Sequence, residues 1–318
     1  MTEILTDLKE PSVIELDTER IKPIKNELIW YFIATLAWTF IFLIPSVLNS
    51  QGVIFLPEWS MAVLGGFAIF GPTIIALIFT RVNDGNKGVI ELLKKGIKTK
   101  FKKKWLIPTF LLSPILAGIA FGISILAFGY TLEENYYNMG SIIGVVFIAF
   151  FVGGPLAEEF GWRGYALEKL QEKFGAFSSS LILGIIWSIW HLPLHFILTT
   201  TQYYIPIWAF FLITTTQSII YTWLYNNTNG SVLVVILFHW TSNIAGALLP
   251  YWQLGFINGQ TPNGTYLPTY GMFIGFGIIL IFVIVIVTMF GPKKLMKNRA
   301  NVIKGEIHQN HSTGKEDA

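Results

Sequence analysis

Long runs of apolar residues, separated by short polar stretches, dominate this chain. A membrane-spanning helix needs about 20 consecutive apolar residues, and eight runs are close to that length. The pattern therefore predicts an all-α fold, a polytopic membrane bundle of about eight transmembrane helices. The fourth span is short and is predicted to continue as a helix through residues 158–173. The predicted spans are residues 28–48, 61–80, 105–128, 141–157, 178–198, 205–225, 231–249 and 271–290.

The composition agrees with the apolar pattern. Of the 318 residues, 53% are hydrophobic and 13% are charged, whereas a soluble domain has roughly 25% charged residues. So few charges cannot coat a water-soluble globule of this size, which excludes the soluble enzymes. The chain has 0 cysteines, which excludes disulfides, thiolate nucleophiles and thiolate-bound metals.

The apolar runs leave no room for a soluble domain between them. We therefore predict one membrane domain at residues 28–290. A cytoplasmic N-terminal tail at residues 1–27 and a cytoplasmic C-terminal tail at residues 291–318 are predicted to flank it.

The basic residues decide the predicted orientation, because lysine and arginine concentrate in the cytoplasmic loops of membrane proteins. With the N-terminus inside, all 22 basic residues fall in residues 1–27, 81–104, 158–177 and 291–318, and none falls in the outer loops. The sequence therefore predicts a multi-pass protein of the cytoplasmic membrane with both termini in the cytoplasm.

One basic segment, residues 87–104, has an amphipathic pattern. Ile90, Leu93, Ile97 and Phe101 recur at helical spacing among closely spaced lysines. This pattern is typical of a helix on an anionic membrane surface, so anionic inner-leaflet lipids are predicted partners. The alternative is that the lysines only enforce the topology. No nucleic-acid partner is expected.

Ionisable side chains at membrane depth are costly to bury, so each one is a candidate functional residue. A single buried histidine is usually structural, but polar groups that converge from three helices favour a site. The candidates are Glu158, Glu159 and Arg163 after the fourth span, His191 and His195 in the fifth, and His239 with Asn243 in the seventh.

Two adjacent carboxylates have different predicted tasks. Glu159 and Arg163 are four residues apart, share a helix face and are predicted to form an ion pair. Glu158 lies about 100° away around the helix, so it is left free to handle a proton. Burial would raise its pKa toward the range of a useful general base. A charged helix end at the membrane interface is the alternative interpretation.

The fifth and seventh spans add imidazoles and an amide. Trp187 lies one turn before His191 and is expected to shield or orient its imidazole, and Pro193 interrupts the helix just beyond. His239 and Asn243 share a face and can present their side chains to one point. A carboxylate, two imidazoles and an amide are the groups that water activation and oxyanion stabilisation require.

Three motifs, each on its own helix, resemble a known family. Glu-Glu-x-x-x-Arg at 158–163, aromatic-x-x-x-His at 187–191 and His-x-x-x-Asn at 239–243 are similar to the motifs of the CAAX protease and bacteriocin-processing (CPBP, or Abi) intramembrane proteases. This family includes the type II CAAX prenyl endopeptidases. The resemblance covers residues 140–250, the predicted catalytic core, and the flanking spans fit the eight-helix architecture of the family. Trp187 is a departure, because the family often has Phe there.

The resemblance implies an intramembrane endopeptidase that cleaves a membrane-anchored peptide or protein, of which a prenylated CAAX protein is one candidate. In this interpretation Glu158 activates the water and Glu159 and Arg163 lie beside it. His191 assists, and His239 with Asn243 completes the site. His195 lies outside the pattern and is expected to be structural or to line the cavity.

The resemblance does not decide whether the site uses a metal. Some members are treated as metalloproteases and others as glutamate-dependent enzymes. Glu158, His191 and His239 are the candidate ligands if Zn²⁺ is bound, and the same groups could activate water without a metal.

Other classes of protease, and transporters, are expected to show different sequence motifs. The chain contains no His-Glu-x-x-His, no aspartate in any predicted span, and only the weak segment Gly122-Ile123-Ser124 as a rhomboid-type serine. A non-catalytic immunity or scaffold protein of the same fold and a proton-coupled transporter are the remaining alternatives. A transporter is expected to place carboxylates on several helices, whereas here they cluster on one cytoplasmic-side segment.

Overall fold

The computed structural model describes residues 26–128, 142–144, 146, 147, 150, 154–249 and 270–296, and the regular elements with defined ends in these ranges are all helical. The predicted all-α membrane bundle is therefore confirmed. The α-helices are α1 Glu27–Ser50, α2 Glu58–Ile69, α3 Gly71–Lys94, α4 Leu106–Phe128, α5 Pro155–Gly161, α6 Glu168–Lys173, α7 Ala176–Trp190, α8 Ile207–Asn227, α9 Val232–Leu248 and α10 Tyr270–Phe290.

Five helical segments in the described ranges are long and apolar enough to cross a membrane, namely α1, α4, α7 with the turn after it, α8 and α10. The bent pair α2 and α3 is a sixth, and α9 is a shorter apolar helix. Part of the predicted span 141–157 and most of the tails at 1–27 and 291–318 lie outside the described residues. The count of eight spans therefore stays a prediction.

Large apolar side chains cover much of the outer surface. Leu126 is 88% exposed, and Ile41 and Ile281 are 66% and 64% exposed. Soluble proteins rarely expose apolar surface on this scale, whereas lipid tails solvate it well. The surface agrees with a multi-pass membrane protein.

Pro72 explains why the predicted span 61–80 is not one straight helix. Its ring removes a backbone donor and clashes with the carbonyl four residues earlier, which breaks a helix. Accordingly α2 ends at Ile69, α3 begins at Gly71, and the two axes differ by 41°.

The prediction of one amphipathic helix over residues 87–104 is wrong for the second half of this segment. A 3₁₀ turn at Lys95–Ile97 follows α3, and the backbone is extended at Lys98. The Ser231 hydroxyl donates to the Lys98 carbonyl, and the Asn229 amide donates to the carbonyl of Lys100. These bonds fasten the lysine segment to the turn between α8 and α9, where a continuing helix could not make them.

Polar contacts hold α6 beside its neighbours. The Lys95 ammonium and the Tyr225 hydroxyl each lie 2.5 Å from a Glu168 carboxylate oxygen. Lys169 forms an ion pair with Glu27 at the start of α1. These contacts attach the chain after α5 to α1, to the end of α3 and to α8.

Gly161 allows α5 to approach α3 closely. A β-carbon at this position would lie 2.3 Å from the Pro72 carbonyl oxygen and 2.7 Å from the Tyr31 hydroxyl. The same hydroxyl donates to that carbonyl over 3.3 Å. Any side chain at residue 161 would therefore separate the two helices.

We predict that Gly161→Ala destabilises the protein by about 1–3 kcal/mol, the usual cost of overpacking, and lowers the Tm measured in detergent. The matched control is Gly66→Ala on α2, where an added β-carbon has no atom within 4 Å. If both variants melt at the wild-type temperature, Gly161 does not limit the approach of α5.

Candidate active site

One continuous helical segment carries both carboxylates. It consists of α5, a π-helical turn at Trp162–Leu167, and α6. The helix predicted through residues 158–173 is therefore confirmed. π-helical turns are rare and are often found at functional sites. Here the wide turn begins at Trp162, three residues after Glu159.

Glu159 connects a cation to an imidazole. Its carboxylate accepts two hydrogen bonds from Nη1 of Arg163, at 2.8 and 2.9 Å, and both side chains are fully buried. Its Oε1 also lies 2.8 Å from Nδ1 of His239 on α9. Because the carboxylate can only accept, Nδ1 is the donor, and Nε2 of a neutral His239 carries the lone pair.

Aromatic rings cover the remaining surface of Arg163. The guanidinium carbon lies 4.4 Å from the centre of the Trp187 ring on α7 and 4.1 Å from that of Tyr221 on α8. Nε and Nη2 have no hydrogen-bond partner within the described part of the chain. The cation is therefore stabilised on its faces by cation–π contacts and on one edge by Glu159.

Glu158 makes no hydrogen bond to this ion pair and is 2% exposed. Its Oε2 accepts from Nε1 of Trp187 at 2.7 Å and from Nε1 of Trp162 at 3.3 Å. Its Oε1 faces Gly154, where a β-carbon would lie only 1.9 Å away. One oxygen of the carboxylate is thus held by two indoles, and the other borders a residue without a side chain.

His191 is half-buried just after the end of α7. Its Nδ1 lies 2.8 Å from the Trp187 carbonyl, so Nδ1 is the donor and Nε2 again carries the lone pair. The helix stops at Trp190 because Pro193 follows, as the sequence predicts. The early end leaves the Trp187 carbonyl available to the imidazole.

His195 has a structural environment. It is buried in the 3₁₀ turn after α7, its Nδ1 lies 3.1 Å from the Ile205 carbonyl, and its ring packs edge-on against Phe210. Of the two roles expected for it, structural or cavity-lining, these contacts favour the structural one.

The structure brings most of the predicted residues to one place. Glu158, Glu159, Arg163 and His239 form a connected group, and Trp187 links His191 to it through the backbone carbonyl. Asn243 lies half-buried on α9, one turn beyond His239, as the spacing predicts.

Sequence reasoning did not identify three residues of this site: Trp162, Tyr221 and Gly154. Trp162 lies inside the Glu-Glu-x-x-x-Arg motif, and its position four residues after Glu158 was an available signal. Tyr221 is a polar aromatic side chain in a predicted span. Nothing local distinguishes Gly154, because its role depends on the carboxylate that it faces.

The residues do not form a ready ligand set for Zn²⁺. Within the described ranges, no three His, Asp or Glu side chains gather closely enough to hold a metal ion. The separation of these side chains is the obstacle, because the Nδ1 bonds of His191 and His239 leave the lone pair of each Nε2 available. No step of the reaction is therefore assigned to a metal here.

Fold and site together define a multi-pass membrane protein with a buried carboxylate–imidazole cluster. A family model described as type II CAAX prenyl endopeptidase Rce1-like matches residues 140–245. The chain is also 30% identical over 240 residues to CAAX prenyl protease 2 of Methanococcus maripaludis, an alignment that covers 70% of this chain and 85% of that relative.

The chain therefore belongs to the Rce1-like type II CAAX prenyl endopeptidase family and is an intramembrane protease. This confirms the resemblance to CAAX-type proteases that the three motifs indicate. The matched region at residues 140–245 nearly coincides with the predicted core at residues 140–250.

We predict that Glu159→Gln and Arg163→Ala each lower the yield of folded protein, because either change leaves an unpaired charge in a buried site. Loss of one partner of a buried ion pair costs about 3–5 kcal/mol. The measurement is the monodisperse fraction after detergent extraction, together with its Tm.

The double variant Glu159→Gln/Arg163→Met removes both charges and should recover part of the lost stability. The surface control is Glu172→Gln on the exposed side of α6. A wild-type Tm for Glu159→Gln would show that the pair does not stabilise the fold.

Proposed function

We propose that this chain is an endopeptidase that hydrolyses a peptide bond of a membrane-anchored substrate with a water activated by Glu158. The observation that carries the proposal is the division between the two carboxylates. Glu159 is engaged by Arg163 and His239, whereas Glu158 has one oxygen held by indoles and the other with no donor among the described residues.

The proposed reaction uses the groups as follows. Oε1 of Glu158 takes a proton from water, and the water oxygen forms a bond to the scissile carbonyl carbon. The water has one other hydrogen, which the lone pair at Nε2 of His191 accepts, and this bond orients the water. His239 completes the site together with Asn243, whose amide donates to the oxyanion. The C–N bond then breaks as Glu158 returns its proton to the leaving nitrogen, so that a carboxylic acid and an amine result.

The proposed substrate is a peptide or protein attached to the membrane, and a prenylated CAAX-type protein is the first candidate. The matched family of type II CAAX prenyl endopeptidases and the CAAX prenyl protease 2 of Methanococcus maripaludis support this class. A lipid anchor also brings the substrate to a site that lies among membrane helices.

We further propose the cytoplasmic membrane as the location, with both termini and the opening of the site on the cytoplasmic side. The distribution of the basic residues supports this orientation. Exposed Ile90, Leu93 and Ile97 next to lysines support contact with anionic inner-leaflet lipids.

The buried acids disfavour a proton-coupled transporter. In the described ranges the buried carboxylates are Glu158 and Glu159, and both lie on α5. A proton relay across the membrane needs ionisable groups at successive depths. The activity assay below also separates a protease from a non-catalytic scaffold of the same fold.

We predict that Glu158→Gln lowers kcat at least 100-fold, because a general base contributes about 10²–10⁴-fold to the rate. The protein is reconstituted in vesicles, and cleavage of a fluorogenic prenylated CAAX peptide is measured. His191→Ala and His239→Ala should also abolish cleavage, and all three variants should accumulate as folded protein.

The control is Glu172→Gln, which should cleave at the wild-type rate. Near-normal turnover by Glu158→Gln would contradict the assignment of the base. The same peptide without its prenyl group tests the anchor, and equal cleavage of both peptides would exclude the lipid requirement. Loss of activity on chelation, with stoichiometric zinc in the purified protein, would require a metal in the mechanism.

We predict that a single cysteine introduced at Lys94 or Ala300 reacts with a membrane-impermeant maleimide only after the cells are permeabilised. A cysteine at Trp59, which is 70% exposed at the start of α2, should react in intact cells. The parent chain has 0 cysteines and provides the blank. Labelling of residue 94 or 300 from outside would reverse the proposed orientation.

A further inference from the structure

Two indole N–H groups converge on a single oxygen of Glu158, and this convergence indicates a role that rests on the proposed function. We propose that Trp187 and Trp162 are positioning residues that form an indole clamp: together they hold Oε2 of Glu158 and so reserve Oε1 as the atom that takes the proton from water.

The clamp comes from two separate parts of the fold. Trp187 lies on α7 and donates over 2.7 Å, and Trp162 lies at the start of the π-helical turn and donates over 3.3 Å. Both are buried, and the Trp162 ring is wedged edge-on against Tyr31 and Trp190. Neither indole can turn away without disturbing its neighbours, so the direction of the carboxylate is fixed.

The two carboxylate oxygens have different surroundings. Indole nitrogens only donate, so Oε2 is committed to two hydrogen bonds and is the weaker base. Oε1 has no donor among the described residues and faces Gly154, where a β-carbon would lie 1.9 Å away. The missing side chain lets Oε1 lie directly against the backbone of residue 154.

Trp187 also organises the rest of the cluster. Its ring covers Arg163 and lies edge-on to His239, with centroids 5.6 Å apart, and its carbonyl accepts from His191. Replacement by Phe keeps the backbone carbonyl and an aromatic ring but removes the N–H group. Trp187→Phe is therefore a change directed mainly at the bond to Glu158.

A hydrogen bond to a carboxylate favours its ionised form. The base must be ionised to accept a proton, so loss of the indole donor should move the acid limb of the pH–rate profile to higher pH. The other titratable and charged groups around Glu158 stay the same in the variants. They are Glu159 and Arg163 on its own segment, Tyr31 on α1, His191 next to α7, Tyr221 on α8 and His239 on α9.

The test measures kcat against pH for the full chain in vesicles, with the prenylated CAAX peptide as substrate. We expect Trp187→Phe to lower kcat about tenfold to a hundredfold, the effect of one hydrogen bond to a charged group, and to move the acid limb upward. Trp162→Phe should give a smaller change of the same sign, because its bond is longer.

Trp38→Phe is the matched control. This indole lies on α1, packs against Phe42 and donates over 2.8 Å to the carbonyl of Phe67 instead of to Glu158. The variant should leave the acid limb in place. If the indole clamp has no role in positioning, Trp187→Phe should show the same pH profile as Trp38→Phe, and this result would overturn the proposal.

The outcomes also separate the clamp from the base. If Glu158→Gln is inactive while Trp187→Phe and Trp162→Phe both keep the wild-type profile, the clamp is wrong and the base assignment stands. If Glu158→Gln stays active, the proposed function itself fails. If Trp187→Phe does not fold, the pH profile of Trp162→Phe decides. An acid limb at the wild-type pH overturns the clamp, and an acid limb at higher pH supports it.

Discussion

The buried guanidinium of Arg163 is the group on which the arrangement of the site depends. A full positive charge among membrane helices is tolerated only if its surroundings replace the hydration that it loses. Glu159 neutralises it from the same segment, and the rings of Trp187 and Tyr221 cover its faces. These rings belong to α7 and α8. The contacts that stabilise the charge therefore fix the position of the helical segment that carries Arg163 relative to these two helices.

Glu159 extends this arrangement to a third helix, since it also accepts from His239 on α9. The bond fixes the tautomer of the imidazole and aims Nε2 away from the ion pair. A carboxylate that already serves a cation and an imidazole is poorly suited to exchange protons with water. The adjacent Glu158 lies outside these bonds, and so two neighbouring residues of the same type acquire different chemistry.

Close backbone contacts are the second constraint. Gly161 places α5 against the Pro72 carbonyl, and Gly154 lets the carboxylate of Glu158 lie against the backbone. Ion pairs at Glu168 and Lys169 hold the chain after α5. The site is therefore positioned from both ends of the short helical segment that carries it. This explains how a seven-residue helix can hold two buried carboxylates in defined directions.

The sequence by itself determined what depends on periodicity and on charge along the chain. It predicted the apolar helices, the ion pair of Glu159 with Arg163, the helix end before Pro193 and the shared face of His239 and Asn243, because a helix repeats every 3.6 residues. The bend at Pro72 was also within reach of the sequence. Only the tertiary structure decided that the indole of Trp187 binds Glu158, 29 residues away, and that Tyr221 covers Arg163. Such contacts depend on how each helix is rotated about its axis and how closely the backbones approach, and neither quantity is encoded in local spacing.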